Sequence, residues 1–260
     1  YAGSKDYLSV AALYRKQWVD FPGAPETQTF SIHSPISSGK MGLGFLFVND
    51  KTGKSNKRMD FMASYAYHIE TGNGIFALGI QGGISQFSNN LAELRVFDLN
   101  DNVANLNETE MFPNAGAGLY YYTEKFYAGA SAPQLLSTDP KAAPTLVNHF
   151  FFSTGIVLGG SDNFKLKPSL LLKSAPGAPL NYDINLNAFI GKIIGIGVSY
   201  RSDDAVVGLL SLQLTPQLRL GYSYDMIQTD IKDYSSGSHE FMLGYDFGHE
   251  VPKVRVPRYF

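Results

Sequence analysis

Residues 180–189 read LNYDINLNAF, and this alternation constrains the fold more than any other feature of the chain. Successive side chains of a β-strand point to opposite faces, so the segment has one apolar and one polar face. The apolar set is Leu180, Tyr182, Ile184, Leu186 and Ala188, and the polar set is Asn181, Asp183, Asn185 and Asn187. In a soluble sandwich the apolar face packs in the core. In an outer-membrane barrel it meets lipid, and the polar face lines a lumen.

The same alternation recurs in the segments 164–173, 193–201, 217–225 and 240–247, where the second face is repeatedly small or charged. If the apolar faces meet lipid, the polar faces line the lumen. The candidates for lumen-facing residues are Lys165, Lys167, Asn181, Asp183, Asn185, Asn187, Arg201, Arg219 and Asp225. Both signs of charge occur among them. They can line a solute channel or form a salt-bridged plug, and the sequence leaves both alternatives open.

Strand-like runs bounded by turn residues predict about fourteen strands, an even number as in single-chain bacterial barrels. The predicted strands are 6–17, 26–35, 40–49, 59–69, 74–87, 112–123, 126–134, 145–158, 164–174, 180–190, 193–201, 205–214, 217–227 and 238–248. No helical periodicity lasts three turns, and no apolar stretch reaches the length of a membrane-spanning helix. Aromatic residues near strand ends predict interfacial girdles; they are Trp18, Phe21, Tyr67, Tyr120–Tyr122, Tyr224 and Tyr245.

Connection lengths are sorted by parity, which favours a membrane barrel over a sandwich. The short connections are 36–39, 70–73, 124–125, 159–163, 191–192 and 215–217; the long ones are 18–25, 49–58, 88–111, 134–144, 175–179 and 228–237, with 202–204 as the exception. We therefore predict an all-β, transmembrane, antiparallel up-and-down β-barrel in the outer membrane. Residues 1–260 form one domain with short periplasmic turns, long extracellular loops and a periplasmic tail at 250–260. No signal peptide begins the sequence, so we expect it to be removed or absent from this chain.

Composition excludes several classes of function. The formal net charge is -2, which provides no basic face for nucleic acid, and the absence of cysteine excludes disulfides and thiolate metal sites. The five histidines form no sequence-local metal cluster, so we predict no cofactor. We also predict that the chain is not an enzyme, with one alternative. Ser31 and His33 share a strand face, and a barrel lipase could use such a pair if a third group oriented the imidazole.

The longest predicted connection, 88–111, is the best candidate for binding a partner. Its side chains supply carboxylates and amides, and the candidate residues are Asp98, Asn100, Asp101, Asn102, Glu108 and Glu110. The spacing at 98–110 resembles the start of a calcium loop. However, Val103 stands where such a loop needs glycine and Thr109 where it needs glutamate, so calcium is a weak alternative to a solvated loop.

The two ends of the sequence carry motifs of a known family. Residues 1–5 read YAGSK, residues 12–18 read ALYRKQW and residues 21–25 read FPGAP; TQTFSIHSP follows at 27–35, then GLG at 42–44, VND at 48–50 and PRYF at 257–260. These motifs resemble the PorP/SprF family of type IX secretion outer-membrane proteins in Bacteroidota. The family-motif residues of interest are Tyr14, Arg15, Gln17, Trp18, Gly23, Pro25, Thr27 and Gln28. We expect them to organise a rigid surface at the first long loop, although a tightly packed hairpin would explain them equally well.

The resemblance implies a non-enzymatic barrel that serves type IX secretion and, in some members, gliding motility. Its partner would be a secreted adhesin with a type B C-terminal domain, anchored at the cell surface, or periplasmic ring components of the secretion machinery. The alternative that the residues themselves leave open is an outer-membrane porin. The family is expected in the outer membrane, against the lipid bilayer.

Overall fold

The computed structural model describes residues 1–5, 7–90, 107–136, 147–161 and 163–248. These residues form fifteen strand segments and two short 3-10 helices, at Ser37–Gly39 and Asp230–Asp233. The strands are β1 (Leu8–Lys16), β2 (Glu26–Ile36), β3 (Met41–Thr52), β4 (Asn56–Thr71), β5 (Gly74–Asn90), β6 (Asn107–Tyr122), β7 (Phe126–Ala132), β8 (Phe150–Ile156), β9 (Leu158–Ser161), β10 (Phe164–Ser174), β11 (Asn181–Ile190), β12 (Ile194–Arg201), β13 (Ala205–Gln213), β14 (Leu218–Ile227) and β15 (Ser238–Phe247). Within the described ranges, no helix is long and apolar enough to cross a membrane.

The strands close into an antiparallel barrel in which nearly every strand pairs with its neighbours in sequence. β8 and β9 both pair with β10 and together act as one interrupted strand. The described strands therefore form a fourteen-stranded barrel. The first and last strands seal it, in a register that runs from Leu8 opposite Phe247 to Lys16 opposite His239. The predicted fold class is confirmed.

The barrel has its apolar side chains on the outside. On β11, Ile184 and Leu186 are 53% and 47% exposed, whereas Asp183, directly before Ile184, is 8% exposed. β15 follows the same rule, with Phe241 exposed and Glu240 turned inward. Exposed apolar side chains on every second position form a surface suited to lipid, and the small or polar positions between them form the inner face.

Two predicted connections are shorter than expected because the strands continue through polar sequence. β3 and β4 pair as far as Thr52 and Asn56, which reduces the predicted loop 49–58 to a turn at 53–55. β5 and β6 likewise pair as far as Asn90 and Asn107. These residues are polar, and for that reason the sequence predicted loops. Backbone pairing requires no apolar side chain once a strand has left the membrane. The predicted strand 145–158 is Phe150–Ile156 in the structure, followed by β9; residues 145–146 lie outside the described ranges.

Candidate functional site

Residues 1–5, called here the N-terminal segment, lie inside the barrel against β2, β3 and β4. The backbone N–H of Gly3 donates to Nδ1 of His33 over 3.3 Å, and the Tyr1 ring meets the His33 ring edge-on at 5.4 Å. On β4, the His68 ring lies with Nε2 3.1 Å from the Ala2 carbonyl oxygen and Nδ1 2.8 Å from that of Gly39. Both inward histidines of these strands therefore hold the segment.

Glycine on the inner face of β3 makes room for the segment. A Cβ atom at Gly42 would overlap both the carbonyl group of Ala2 and the Cα atom of Gly3. Gly3 itself has a φ of 71°, a backbone conformation that favours glycine. The YAGSK and GLG motifs, which are some forty residues apart in the sequence, therefore meet as one close backbone contact.

The other end of the segment is fixed to the barrel seam. Nζ of Lys5 lies 3.0 Å from Oδ1 of Asp246 on β15, and the Ser9 hydroxyl donates to the same oxygen over 2.6 Å. Burial lowers the pKa of Lys5, and the attraction of Asp246 offsets this effect only in part. The N-terminal segment thus crosses the inside of the barrel from the seam to β4.

Two of the three consecutive tyrosines of β6 that were predicted to form the girdle do not face lipid. Tyr121 faces outward, but Tyr120 and Tyr122 face the lumen, and Tyr122 is 2% exposed. The Tyr1 ring meets Tyr120 edge-on at 5.6 Å. Aromatic residues at consecutive strand positions must alternate between lipid and lumen, so a girdle of three in a row is not possible.

A chain of ion pairs runs along the inner wall near the long-loop rim. Arg15 contacts Asp225 at 2.6 Å and Glu240 at 3.3 Å, and Arg201 contacts Asp225 at 3.1 Å. Asp183 extends the chain, since it lies 3.8 Å from Arg201 and 2.8 Å from Lys173. We call these six residues the ion-pair belt. Four of its members come from the predicted lumen set or the family motif: Arg15, Asp183, Arg201 and Asp225.

The remaining predicted lumen residues also lie on the inner face, mostly nearer the short turns. Asn181 donates to the carbonyl of Ser202 over 3.3 Å near the belt, and Asn185 lies four positions further along the same face of β11. The other four line a cavity of about 1090 Å³: Lys165, Lys167, Asn187 and Arg219. Nζ of Lys167 lies 5.5 Å from the centre of the Tyr127 ring.

The family-motif residues tie together the loops of the opposite rim. Residues 17–25 form the first long loop and residues 228–237 the last. The N–H of Val19 donates to the carbonyl of Gly237 over 2.8 Å, and the N–H of Ser236 donates back to Val19 over 3.1 Å. The backbone N–H of Trp18 donates to the Ser238 hydroxyl over 3.1 Å, and Trp18 has a φ of 43°. The carbonyl of Gly23 accepts from Gly53 of the neighbouring turn over 2.9 Å.

Other motif residues support the first long loop from below. The Gln17 N–H donates to the Pro25 carbonyl over 3.0 Å and closes the loop at its base. The Thr27 hydroxyl donates to Asp50 over 2.6 Å, and the Gln28 side chain accepts from Asn49 over 3.2 Å. Tyr14 faces outward on β1. The motif residues thus form a packed turn whose hydrogen bonds also reach the neighbouring loops, and their role in organising a functional surface stays a prediction.

This braced rim surrounds a polar depression and presents exposed aromatic rings. The depression has a volume of about 690 Å³ and lies above the ion-pair belt; its lining includes Arg15, Trp18, Lys173, Arg201, Thr229 and Ile231. Tyr234 is 71% exposed beside it, and Phe21 is 40% exposed in the first long loop. We call these residues together the rim surface.

Several predicted site residues lie elsewhere or cannot be placed. Asp98, Asn100, Asp101 and Asn102, and with them most of the weak calcium alternative, lie outside the described residues. Glu108 and Glu110 belong to β6 rather than to a loop, because β6 begins at Asn107. Ser31 and His33 do share the inner face, but His33 contacts the N-terminal segment. Within the described ranges, no three acidic, histidine or cysteine side chains gather as a metal site.

Solved structures that match this chain include bacterial outer-membrane proteins. The Acinetobacter baumannii protein Omp33 matches with a TM-score of 0.55 at 9% identity, over 94% of this chain and 100% of that one. The CymD monoaromatic hydrocarbon channel matches with a TM-score of 0.54 at 11% identity, over 96% and 90%. A Pseudomonas aeruginosa FadL homologue matches with a TM-score of 0.50 at 12% identity, over 93% and 89%. At these identities the likeness concerns the fold alone.

The closed barrel with its lipid-facing exterior is thus an outer-membrane β-barrel. Residues 1–245 match the family described as type IX secretion system membrane protein PorP/SprF, and the chain belongs to that family. No curated protein sequence matches the chain. Family membership confirms the predicted resemblance and the outer-membrane location. It also agrees with the prediction that the chain is not an enzyme.

Proposed function

We propose that this barrel anchors a protein partner of type IX secretion at its rim surface. The observation that supports this most is the bracing of the first long loop against the last, through Val19, Gly237 and Ser236. Loops that are already ordered lose little conformational entropy when a partner binds, so a braced rim favours tight binding. The partner we favour is the C-terminal domain of a secreted adhesin rather than a periplasmic ring component.

The chemistry of the rim surface suits a protein. Tyrosine and tryptophan dominate the energetics of protein interfaces, and Tyr234 and Trp18 stand beside the depression. The charges beneath them are already paired within the ion-pair belt, so they give the depression a polar floor rather than a strong single-sign field. A polar floor beneath exposed aromatic rings is the usual composition of a protein-binding patch.

The rim surface also lies on the side expected for a surface-anchored cargo. Short turns are periplasmic and long loops extracellular in outer-membrane barrels, and the rim surface is built from the long loops. A machinery-binding barrel would instead present the short-turn rim, at positions such as Ile193, which is exposed in the turn before β12.

Paired substitutions on the two rims test this proposal. In cells that depend on this gene, Tyr234→Ser combined with Phe21→Ser should release type IX cargo from the cell surface into the medium. The matched control, Ile193→Ser, removes an exposed apolar side chain from the opposite rim and should leave the cargo attached. Mass spectrometry of the medium and of the surface-labelled cells measures the distribution. Cargo retained by the double variant, or loss of ring-component binding in Ile193→Ser with normal retention in the double variant, would reject rim anchoring.

The alternative of a solute channel has one observation in its favour, the large cavity at the short-turn rim. The N-terminal segment borders that cavity through Tyr1, and the ion-pair belt lies between it and the rim depression. We therefore favour a plugged barrel, and conductance measurements decide between the two.

A further inference from the structure

The cavity at the short-turn rim is open at one end of the barrel. Its lining includes three short turns, through Glu124 and Lys125, through Gly191 and Lys192, and through Pro216. Tyr1 of the N-terminal segment forms part of its side, and most of the rest comes from residues of β10 to β15. The three turns in the lining place the opening of the cavity at the short-turn rim.

Small residues and short polar side chains form part of the wall. The inner face of β12 carries Gly195 and Gly197, and that of β14 carries Gly221. The Asn187 side chain occupies the position that a Cβ atom at Gly197 would take, and the Ser211 hydroxyl occupies that of one at Gly195. Asn187 and Ser211 therefore present amide and hydroxyl groups at the cavity surface.

The described lining has an excess of positive charge. It includes five basic side chains, Lys125, Lys165, Lys167, Lys192 and Arg219, against two acidic ones, Glu124 and Glu240. Glu240 is already engaged at 3.3 Å by Arg15 of the ion-pair belt. Among the described residues, the excess lies at the short-turn end of the barrel, whereas the belt lies near the long-loop rim.

Arg219 is the residue most directly suited to a ligand. Its Nε atom is buried and has no hydrogen-bond partner in the part of the chain that the structure describes. The Arg219 guanidinium also lies close enough to Lys167 for the two positive charges to repel each other. A buried donor without an acceptor is costly, and two like charges beside one cavity raise that cost. A negative group placed between them would relieve both.

We propose that this cavity is a binding site for a compact anionic group, a carboxylate or a phosphate, held by Arg219 and Lys167. The guanidinium provides two parallel donors for either group, and the ammonium provides a point charge. Asn187 and Ser223 line the same cavity and supply neutral hydrogen bonds. The ligand arrives from the aqueous side of the short turns, as a free anion or as the carboxyl end of a peptide. The site is independent of rim anchoring, so either proposal can fail alone.

Calorimetric titration of the detergent-solubilised protein at constant ionic strength tests the site. The probes are inorganic phosphate, N-acetyl-dialanine with a free carboxylate, and the amide of the same peptide. Saturable binding of phosphate or of the free acid, without binding of the amide, is expected. Binding of the peptide acid but not of phosphate identifies a peptide end as the source, and the reverse identifies a free anion; both outcomes support the site.

Three variants assign the binding to these side chains. Arg219→Gln and Lys167→Gln should each weaken binding about tenfold, because each removes one charge-assisted hydrogen bond. Lys40→Gln removes an exposed lysine from the same rim but outside the cavity lining, and it should bind like the unaltered protein. Circular dichroism checks that each barrel is folded, and Arg219→Lys substitutes if Arg219→Gln is not. Equal affinities in all variants, equal binding of the amide, or no saturable binding would overturn the proposal.

Discussion

Arg15 on β1 reaches past the whole width of β15 to contact Asp225 on β14, with 2.6 Å between Nη2 and Oδ2. Arg201 on β12 reaches the same oxygen from the other side, past β13, at 3.1 Å. One carboxylate therefore joins strands that share no backbone hydrogen bonds. The belt braces the inner wall across the strands in a way that the ladder alone does not.

Loss of the shared carboxylate should destabilise the barrel more than loss of either cation. Asp225→Asn leaves Arg15 and Arg201 facing each other in a mostly buried site, and we expect it to lower the free energy of unfolding by about 3 kcal/mol. Arg15→Gln leaves Asp225 with Arg201 as a partner and should cost about 1–2 kcal/mol. Urea unfolding of the protein in phospholipid vesicles measures both values.

Lys16 supplies the matched control for this series. It follows Arg15 directly but faces outward, and its pair with Glu26 at 3.5 Å is exposed. Lys16→Gln should therefore change the free energy of unfolding by less than about 0.5 kcal/mol. If Lys16→Gln were as costly as Asp225→Asn, the belt would have no special part in stability.

Gly42→Ala should expel the N-terminal segment while the barrel stays closed. The added methyl group would overlap the Ala2 carbonyl, and the segment can move more easily than a paired strand. Trypsin should then cleave after Lys5 much faster, as followed by mass spectrometry, with an unchanged far-ultraviolet spectrum. Gly208→Ala is the control, since a Cβ atom at Gly208 meets nothing within 4 Å. Equal cleavage in the two variants would show that Gly42 does not hold the segment.

If the barrel is plugged as proposed, the intact protein should be silent in a planar bilayer. The N-terminal segment and the ion-pair belt both lie inside the barrel, and we expect them together to prevent a steady conductance. Deletion of residues 1–5 combined with Arg15→Gln should produce open steps, because it removes a plug and loosens the belt. A steady open pore in the intact protein would favour the porin alternative, and silence in both proteins would show that something else closes the lumen.

The stability of the N-terminal segment's anchor should increase at alkaline pH. Burial lowers the pKa of Lys5 in the folded protein, so between that value and the ordinary value of about 10.5 the unfolded chain binds more protons. The penalty for burying the charge is fully present below the folded pKa, and it decreases as pH rises from that value to the ordinary value of about 10.5. The difference in unfolding free energy between the unaltered protein and Lys5→Met should therefore shift in favour of lysine as pH rises through that window. A difference that is constant or falls with pH would contradict it.

The alternation in sequence predicts the barrel well because it is a local property. Two adjacent residues, the apolar Ile184 and the polar Asp183, are enough to distinguish the outer face from the inner face. The same alternation is seen along β14 and β15. Turn residues and connection lengths then indicate the order of the strands. Strand ends beyond the membrane are harder to predict, since the pairs between β3 and β4 up to Thr52 involve lysine, threonine and asparagine.

The position of the N-terminal segment could not be predicted from the same signals. Residues 1–5 have no periodicity, and their contacts with His33, Gly42 and His68 span long separations in sequence. Two glycines in a strand predict a bulge or a close approach, but they do not identify what approaches. Pairing of the charges in the belt depends in the same way on which strands curve toward each other.

The bracing between Val19 and Gly237 has a consequence for assembly. The first long loop follows β1 and the last long loop precedes β15, so these hydrogen bonds lie directly above the seam where the two ends of the sheet meet. The loops come within reach of each other only after β1 and β15 have paired. The rim surface is therefore incomplete in every intermediate whose barrel has not closed, so the partner binding that we propose would have to follow closure.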